Sequence, residues 1–306
     1  MTVYDLKTMQ ICDITENTVL ALGTFDGCHE GHRAIFGSAL RLSVKLKAKC
    51  GIYTFSGIPN TTTGAKKSIY TLEEKINFIK KTGADYLIID DFAAVCDLSG
   101  EKFISSVLKD RLHCIGVACG YNYRFGKGAE MGAEDLGAFF ENSGESVRIC
   151  SPIKYNDVPI SSTLIRRQIE NGECENILPY SDPYTVYAQV LKGKQLGRKM
   201  GTPTINQLIP EEKIKPKRGV YITECEIGED VYPSVTNVGS RPTTDGYGAC
   251  ENMETHIIGY EGNLYSSYIK VNFYKFLRDE RKFDSIDELI SQIKQDCCKA
   301  KDYFLK

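Results

Sequence analysis

Two rhythms of apolar and polar positions run along the chain. From about residue 18 to 150, short β-rich runs alternate with stretches of helical periodicity. TVLALG precedes a helix beginning near Gly31, GIYTF precedes TLEEKINFIKK, and DYLIID precedes EKFISSVLKD. CIGVACG then precedes GAEDLGAFFEN, and SVRIC closes the series. Thr71 and Glu74 have the spacing of a capping box at one helix start. This alternation predicts a Rossmann-like parallel sheet with helices on both faces, where ligands sit beyond the carboxyl ends of the strands.

After about residue 185 the rhythm changes. YTVYAQVLKG, GVYITECEIG, YPSVTNVG, METHIIGY and LYSSYIKVNFYKF are closely spaced strand candidates without helices between them, and Glu261-Gly262-Asn263 reads as the turn before the last. One helix, about Ser285 to Phe304, ends the chain, with Ile286, Leu289, Ile290, Ile293 and Cys297 on one face. Some six antiparallel strands and one helix predict a small closed barrel. ILPYSDPY, residues 177 to 184, interrupts both rhythms with two prolines. The expected domains are therefore 1–180 and 181–306.

Composition narrows the function classes. A content of 42% hydrophobic and 25% charged residues suits folded globular domains, and 306 residues suffice for two cores. A net charge of -2, with no Lys/Arg block, gives no nucleic-acid footprint. No apolar run approaches the roughly 18 residues of a membrane span, and MTVYDLKTMQICDITEN lacks a signal-peptide layout. The expectation is a cytoplasmic protein, a monomer or weak homo-oligomer acting on small molecules without nucleic-acid or membrane partners. Twelve cysteines include no C-x-x-C pair, so they read as reduced thiols used as small apolar residues, with a reactive thiol as the alternative.

Candidate chemistry concentrates in two places. His29 and His32, two of only four histidines, follow the first predicted strand among Gly23, Gly27 and Gly31. Imidazoles and free N–H groups at a helix start suit a phosphate; a metal pair or a plain surface loop are the alternatives. Ser161-Ser162-Thr163 stacks hydroxyls at another helix start with Arg166 in its first turn and Gly172 at its end, a second anion cradle or an ordinary N-cap. Gly120 to Gly128 (GYNYRFGKG) reads as a binding loop.

The second place is Gly193 to Asn206, GKQLGRKMGTPTIN. Its glycines and bases suggest a phosphate loop, although a turn-rich hairpin fits the same spacing. Thr204 and Asn206 alternate onto one strand face and offer oxygen ligands suited to Mg²⁺. Glu254 and His256 share one face of a later strand. A carboxylate there could take a proton from a substrate hydroxyl, or be a solvated outer residue.

GTFDGCHEGH, GYNYRFGKG and ISSTLIR, in that order, resemble the adenylyltransferase half of the prokaryotic bifunctional riboflavin kinase/FAD synthetase family. GRKMGTPTIN, RGVYIT, TNVGSRPT, the Glu254 strand, NLYSSYIKVNFYKFLRDERKF and the last helix resemble its riboflavin kinase domain. The resemblance implies phosphorylation of riboflavin to FMN and adenylylation of FMN to FAD, with ATP and Mg²⁺. It assigns His29 and His32 to the ATP phosphates, and Gly23, Phe25, Asp26, Gly27, Asn122, Ser162, Thr163 and Arg166 to the nucleotide. In the barrel it assigns Gly197, Lys199, Thr204 and Asn206 to Mg-ATP, Glu254 as base, and Arg278 to the flavin side.

One departure stands out. Where the family reads phenylalanine, an acidic residue, then proline-histidine-proline, Phe55 is followed here by Ser56-Gly57-Ile58-Pro59. A kinase with a silent nucleotidyltransferase domain, or one using another acceptor, therefore stays open beside the bifunctional enzyme. So does a flavin-binding regulator without turnover. In the barrel the family's aromatic is Thr202 and its alanine is Ile205, and neither change removes a ligand.

Overall fold

A computed structural model of the chain describes residues 1–8, 14–58, 66–140, 146–192, 202–242 and 249–305. The chain divides into two compact units, Met1–Ser162 and Thr163–Lys306.

The first unit is built on six parallel strands: β1 (Thr2–Asp5), β2 (Thr18–Leu22), β3 (Lys49–Phe55), β4 (Tyr86–Asp90), β5 (Cys114–Gly120) and β6 (Val147–Cys150). Their order is β1-β4-β3-β2-β5-β6. The chain moves outward from β2 through β3 and β4, then crosses back to β5 on the other flank of β2. That reversal opens a crevice at the carboxyl ends of the central strands. Every residue of β2 is buried, which is why Val19 to Leu22 form an unbroken apolar run and not an alternating one. Strand β1 was not among the expected elements: only four residues long and at the sheet edge, it leaves little pattern to read.

The longer helices are α1 (Glu30–Leu46), α2 (Leu72–Ile79), α3 (Phe103–Arg111) and α4 (Asp135–Phe140). The Thr71–Glu74 capping box forms in both directions. Helix α3 is widened into π-type turns, yet still buries Phe103, Ile104, Val107 and Leu108. A further helix, α5 (Ser162–Asn171), begins at the unit boundary, with Ile165 and Ile169 buried. Gly172 follows it at φ 81.

The second unit is a six-stranded antiparallel sheet: β7 (Tyr184–Gln189), β8 (Thr204–Leu208), β9 (Gly219–Ile227), β10 (Asp230–Pro242), β11 (Ala249–Ile257) and β12 (Tyr268–Arg278). The order is β7-β12-β9-β10-β11-β8. The sheet curls until its edges meet: Leu191 bridges Asn206, and the Gln207 amide donates to the carbonyls of Ala188 and Ile269. Inside the barrel Tyr221, Thr223, Thr236, Val238, Met253, Thr255, Val271 and Phe273 are fully buried. Their hydroxyls form a chain, Thr223 to Thr236 at 2.8 Å and Thr236 to Thr255 at 2.9 Å. The connection from β11 to β12 runs from 258 to 267, longer than the tight turn expected at Glu261 to Asn263.

Helix α6 (Ile286–Phe304) covers Val220, Ile222 and Val235 on the outside of the barrel with Ala300, Cys297, Tyr303 and Phe304. The expected apolar stripe is corrected at its start: Ile286 is 65% exposed, and the fully buried positions are Asp296 and Ala300. Asp296 is buried because the Arg278 guanidinium meets it with two hydrogen bonds, at 3.0 and 2.9 Å. The ten described cysteines are free. Burial pushes the thiols of Cys50, Cys114, Cys119 and Cys225 up to about 12, as packing residues require.

Candidate active sites

The loop from β2 to α1 carries the first constellation. Phe25, Gly27 and Cys28 all adopt positive φ, at 49°, 83° and 38°. Three such residues in four turn the chain sharply enough to bring His29 to the N-cap of α1. At Gly27 a Cβ would come within 2.8 Å of Ile69, and at Gly23 within 2.7 Å of the Phe25 ring. Neither position has room for a side chain.

Anchors beneath the loop hold this backbone. The Asp26 carboxylate, 2% exposed, accepts from the amides of Ile69 and Tyr70, and Ser162 Oγ donates to the Asp26 carbonyl at 2.7 Å. Phe25 is buried against His32 and Phe36. The structure thus engages Asp26 and Phe25, both expected at the nucleotide, in shaping the loop.

The His29 and His32 rings stack at 3.8 Å and 21°. His29 is 4% exposed, and its Nδ1 is buried without a hydrogen-bond partner among the described residues. Burial drives its pKa down to about 4, with the Asp26 carboxylate opposing. At neutral pH this is a neutral imidazole at a helix N-terminus, the kind of position that suits an anion.

Asn122 is exposed in the loop after β5, its Oδ1 3.1 Å from where a Cβ on Gly120 would lie. Thr163 and Arg166 belong to the second unit, on the first and second turns of α5, exposed and half-buried respectively. Ser56, Gly57 and Ile58 leave the end of β3 beside an aromatic group in which Phe55 meets Tyr53 at 5.7 Å and Phe92 at 5.4 Å. Pro59 lies outside the described residues.

A residue missed in the sequence is Lys75, 3% exposed, whose ammonium donates to the carbonyls of Thr24 and Phe55. The available signal was a lysine on the apolar stripe of α2, between Leu72 and Ile79.

In the barrel, strand register assembles the second constellation. Thr204 lies opposite His256, and Asn206 opposite Glu254, on β8 and β11. Glu254 lies opposite Asn237 on its other side, on β10. Directly opposed residues share a face, so Thr204, Asn206, Asn237, Glu254 and His256 stand together. That face is the outer one, continuous with Val220 and Ile222 beneath α6. Because the interior is filled by side chains, a ligand of these residues sits outside the barrel wall.

Glu254 is exposed and accepts a long hydrogen bond, 3.4 Å, from the Asn252 amide. His256 Nδ1 lies 2.8 Å from the Pro203 carbonyl. Asn237 and Asn252, which flank Glu254, were not singled out in the sequence; strand register discloses Asn237, whereas Asn252 shares the face of Glu254 by alternation along the same strand. Asn237 is itself held by Glu280 at 3.0 Å. The Arg278 fork, expected toward the flavin, is engaged by Asp296. Gly197 and Lys199 lie outside the described residues.

Thr204 and Asn206 supply two neutral oxygens, and no group of three or more His, Cys, Asp or Glu able to hold a metal occurs among the described residues. This donor set fits Mg²⁺ carried mainly by nucleotide phosphates and water, not one caged by protein. No helix among the described residues is long and apolar enough to cross a membrane.

Comparison with known proteins matches residues 12–164 to the family described as FAD synthetase, and residues 180–304 to riboflavin kinase. A bifunctional riboflavin kinase/FMN adenylyltransferase of Bacillus subtilis (strain 168) is 30% identical, over 94% of this chain and 92% of its own. The Escherichia coli (strain K12) protein of the same description is 31% identical, over 94% and 93%. A crystal structure described as a macrolide-efflux protein from Streptococcus pneumoniae superposes with a TM-score of 0.82 at 27% identity, over 97% of this chain and 96% of that one.

Proposed function

This chain belongs to the bifunctional riboflavin kinase/FMN adenylyltransferase family, and from that premise we propose how its residues divide the work. The protein is a transferase with two ATP-dependent activities, riboflavin to FMN and FMN to FAD. We set the boundary between the working halves at 180/181 and place the protein in the cytoplasm, as a monomer or weak homo-oligomer serving small molecules alone. The observation that carries the division of labour is that each compact unit holds its own constellation, the stacked histidines in one and the Asn206–Glu254–Asn237 row in the other.

In FMN formation, Glu254 accepts the proton of the ribityl 5′-hydroxyl as that oxygen attacks the γ-phosphorus and ADP leaves. Asn237, Asn252 and Asn206 around it hold the carboxylate and the hydroxyl in line. Thr204 and Asn206 would hold Mg²⁺ with the ATP phosphates, and Gly197 and Lys199 would cradle those phosphates. The ion, when bound, neutralises charge on the transferred group.

In FAD formation, a phosphate oxygen of FMN attacks the α-phosphorus of the second ATP, and pyrophosphate leaves. The nucleophile is already anionic, so positioning and charge stabilisation suffice. His29 and His32, with the N–H groups opening α1, donate to the phosphates. Gly23 and Gly27 let the backbone approach, while Phe25 and Asp26 hold its shape. Asn122, Ser162, Thr163 and Arg166 keep the nucleotide role that the resemblance implies, and Arg278 lines the flavin side through the helix that it anchors. The FAD synthetase match spans the Ser56-Gly57-Ile58-Pro59 departure, so a silent first domain is not favoured.

The test is a flavin time course. Riboflavin with Mg-ATP should give FMN first and FAD after it, resolved by chromatography. FMN that accumulates without FAD would remove the second activity, and no product at all would remove both.

A further inference from the structure

We propose that Lys75 is a positioning residue of FAD synthesis, a buried ammonium that fixes the phosphate-side loop to the strand end on the acceptor side. The inference rests on the FAD-forming reading given above and deepens it.

Lys75 Nζ donates to the Thr24 carbonyl at 3.0 Å and to the Phe55 carbonyl at 3.0 Å. Thr24 opens the loop that leads to His29, and Phe55 ends β3, from which Ser56 to Ile58 depart. Strands β2 and β3 are parallel neighbours, so one cation spans two adjacent strand ends at the edge where ligands of such sheets bind. Thr54 Oγ1 donates to the same Thr24 carbonyl at 2.9 Å, making that oxygen the shared fixed point of the loop. The half-exposed rings of Phe55 and Phe92 beside the second strand end form an apolar wall suited to a flat heteroaromatic acceptor.

A simple packing role fits poorly. At 3% exposure an ammonium bears a large desolvation cost that an apolar side chain on the same stripe would avoid. Both hydrogen-bond partners are main-chain carbonyls, so the lysine does not complete an ion pair. What it does is hold two chain segments in register. Burial pushes the Lys75 pKa down, while the Asp26 carboxylate partly offsets this and favours the charged form. Transfer between ATP and a phosphate nucleophile depends on in-line approach, and loss of such a tether lets the two substrates drift apart by a fraction of a bond length or more.

The test is Lys75→Met in the full chain, assayed for both reactions well below its melting temperature. Misplacement on this scale predicts a fall of about 100-fold in kcat/KM for FMN, with a raised KM for FMN. The Kd of ATP should stay within about threefold, and FMN formation from riboflavin should be unchanged. A variant that keeps FAD synthesis within about threefold of the parent overturns the proposal, as does a loss that only tracks the unfolded fraction with both KM values unchanged. If Lys75→Met does not fold, Lys75→Gln carries the same comparison, since its shorter stem cannot reach both carbonyls. A parent protein that makes no FAD from FMN would instead defeat the underlying reading.

Discussion

His29 shows how a residue that sequence marks as chemical acquires its state from burial. In water its imidazole would be partly charged near neutrality; here it is held neutral with a pKa of about 4. A folded-state pKa below the unfolded value of 6.5 means that the unfolded chain binds the proton first. The associated stability is present above about pH 6.5 and is lost as the pH falls toward 4, by roughly 2 kcal/mol at pH 5. Urea melts at pH 7 and 5 should show this loss in the parent and not in His29→Asn; equal losses would contradict it. Arrival of the ATP phosphates favours the charged ring, so the His29 titration midpoint should rise on ATP binding in NMR spectra. Glu254 presents the opposite case, an exposed carboxylate whose use comes from its neighbours in the strand register. Loss of a general base of this kind predicts a fall of about 10²- to 10⁴-fold in FMN formation for Glu254→Gln.

At the scale of elements, helix α6 depends on the pair between Arg278 on β12 and Asp296, which is 1% exposed. Replacing Arg278 with methionine removes the charge partner of a buried carboxylate and leaves it the Gln292 amide, which donates at 2.9 Å, a change expected to cost about 3–5 kcal/mol. Urea unfolding reads the loss; a cost under about 1 kcal/mol would show that the Gln292 amide is enough for Asp296. The pair also explains a limit of the sequence. Apolar spacing located α6, but an acid at one of its two buried positions breaks the pattern that spacing detects. Lys75 was hidden in the same way on α2. Strong signals were read correctly: the continuous apolar run of β2, and the Thr71–Glu74 box, whose two hydrogen bonds are local. Strand β1 escaped because four edge residues carry almost no periodicity. Glu254 and Asn206 were legible as chemical types, but that they stand opposite one another follows only from strand pairing.

For the molecule as a whole, two compact units each carry one constellation, and the FMN made by one is the substrate of the other. In the proposed scheme each site binds its own ATP, so no residue need serve both reactions. Damage to one site should leave the other at full rate, and FMN should cross through solution. The most direct measurement mixes two single-site variants, His29→Ala and Glu254→Gln, with riboflavin and Mg-ATP. Alone, His29→Ala should stop at FMN, and Glu254→Gln should leave riboflavin unchanged while still converting supplied FMN to FAD. Mixed in equal amounts, they should yield FAD at a rate that rises with protein concentration. A mixture that forms no FAD, or a single substitution that suppresses both reactions alike, would contradict two independent sites on one chain.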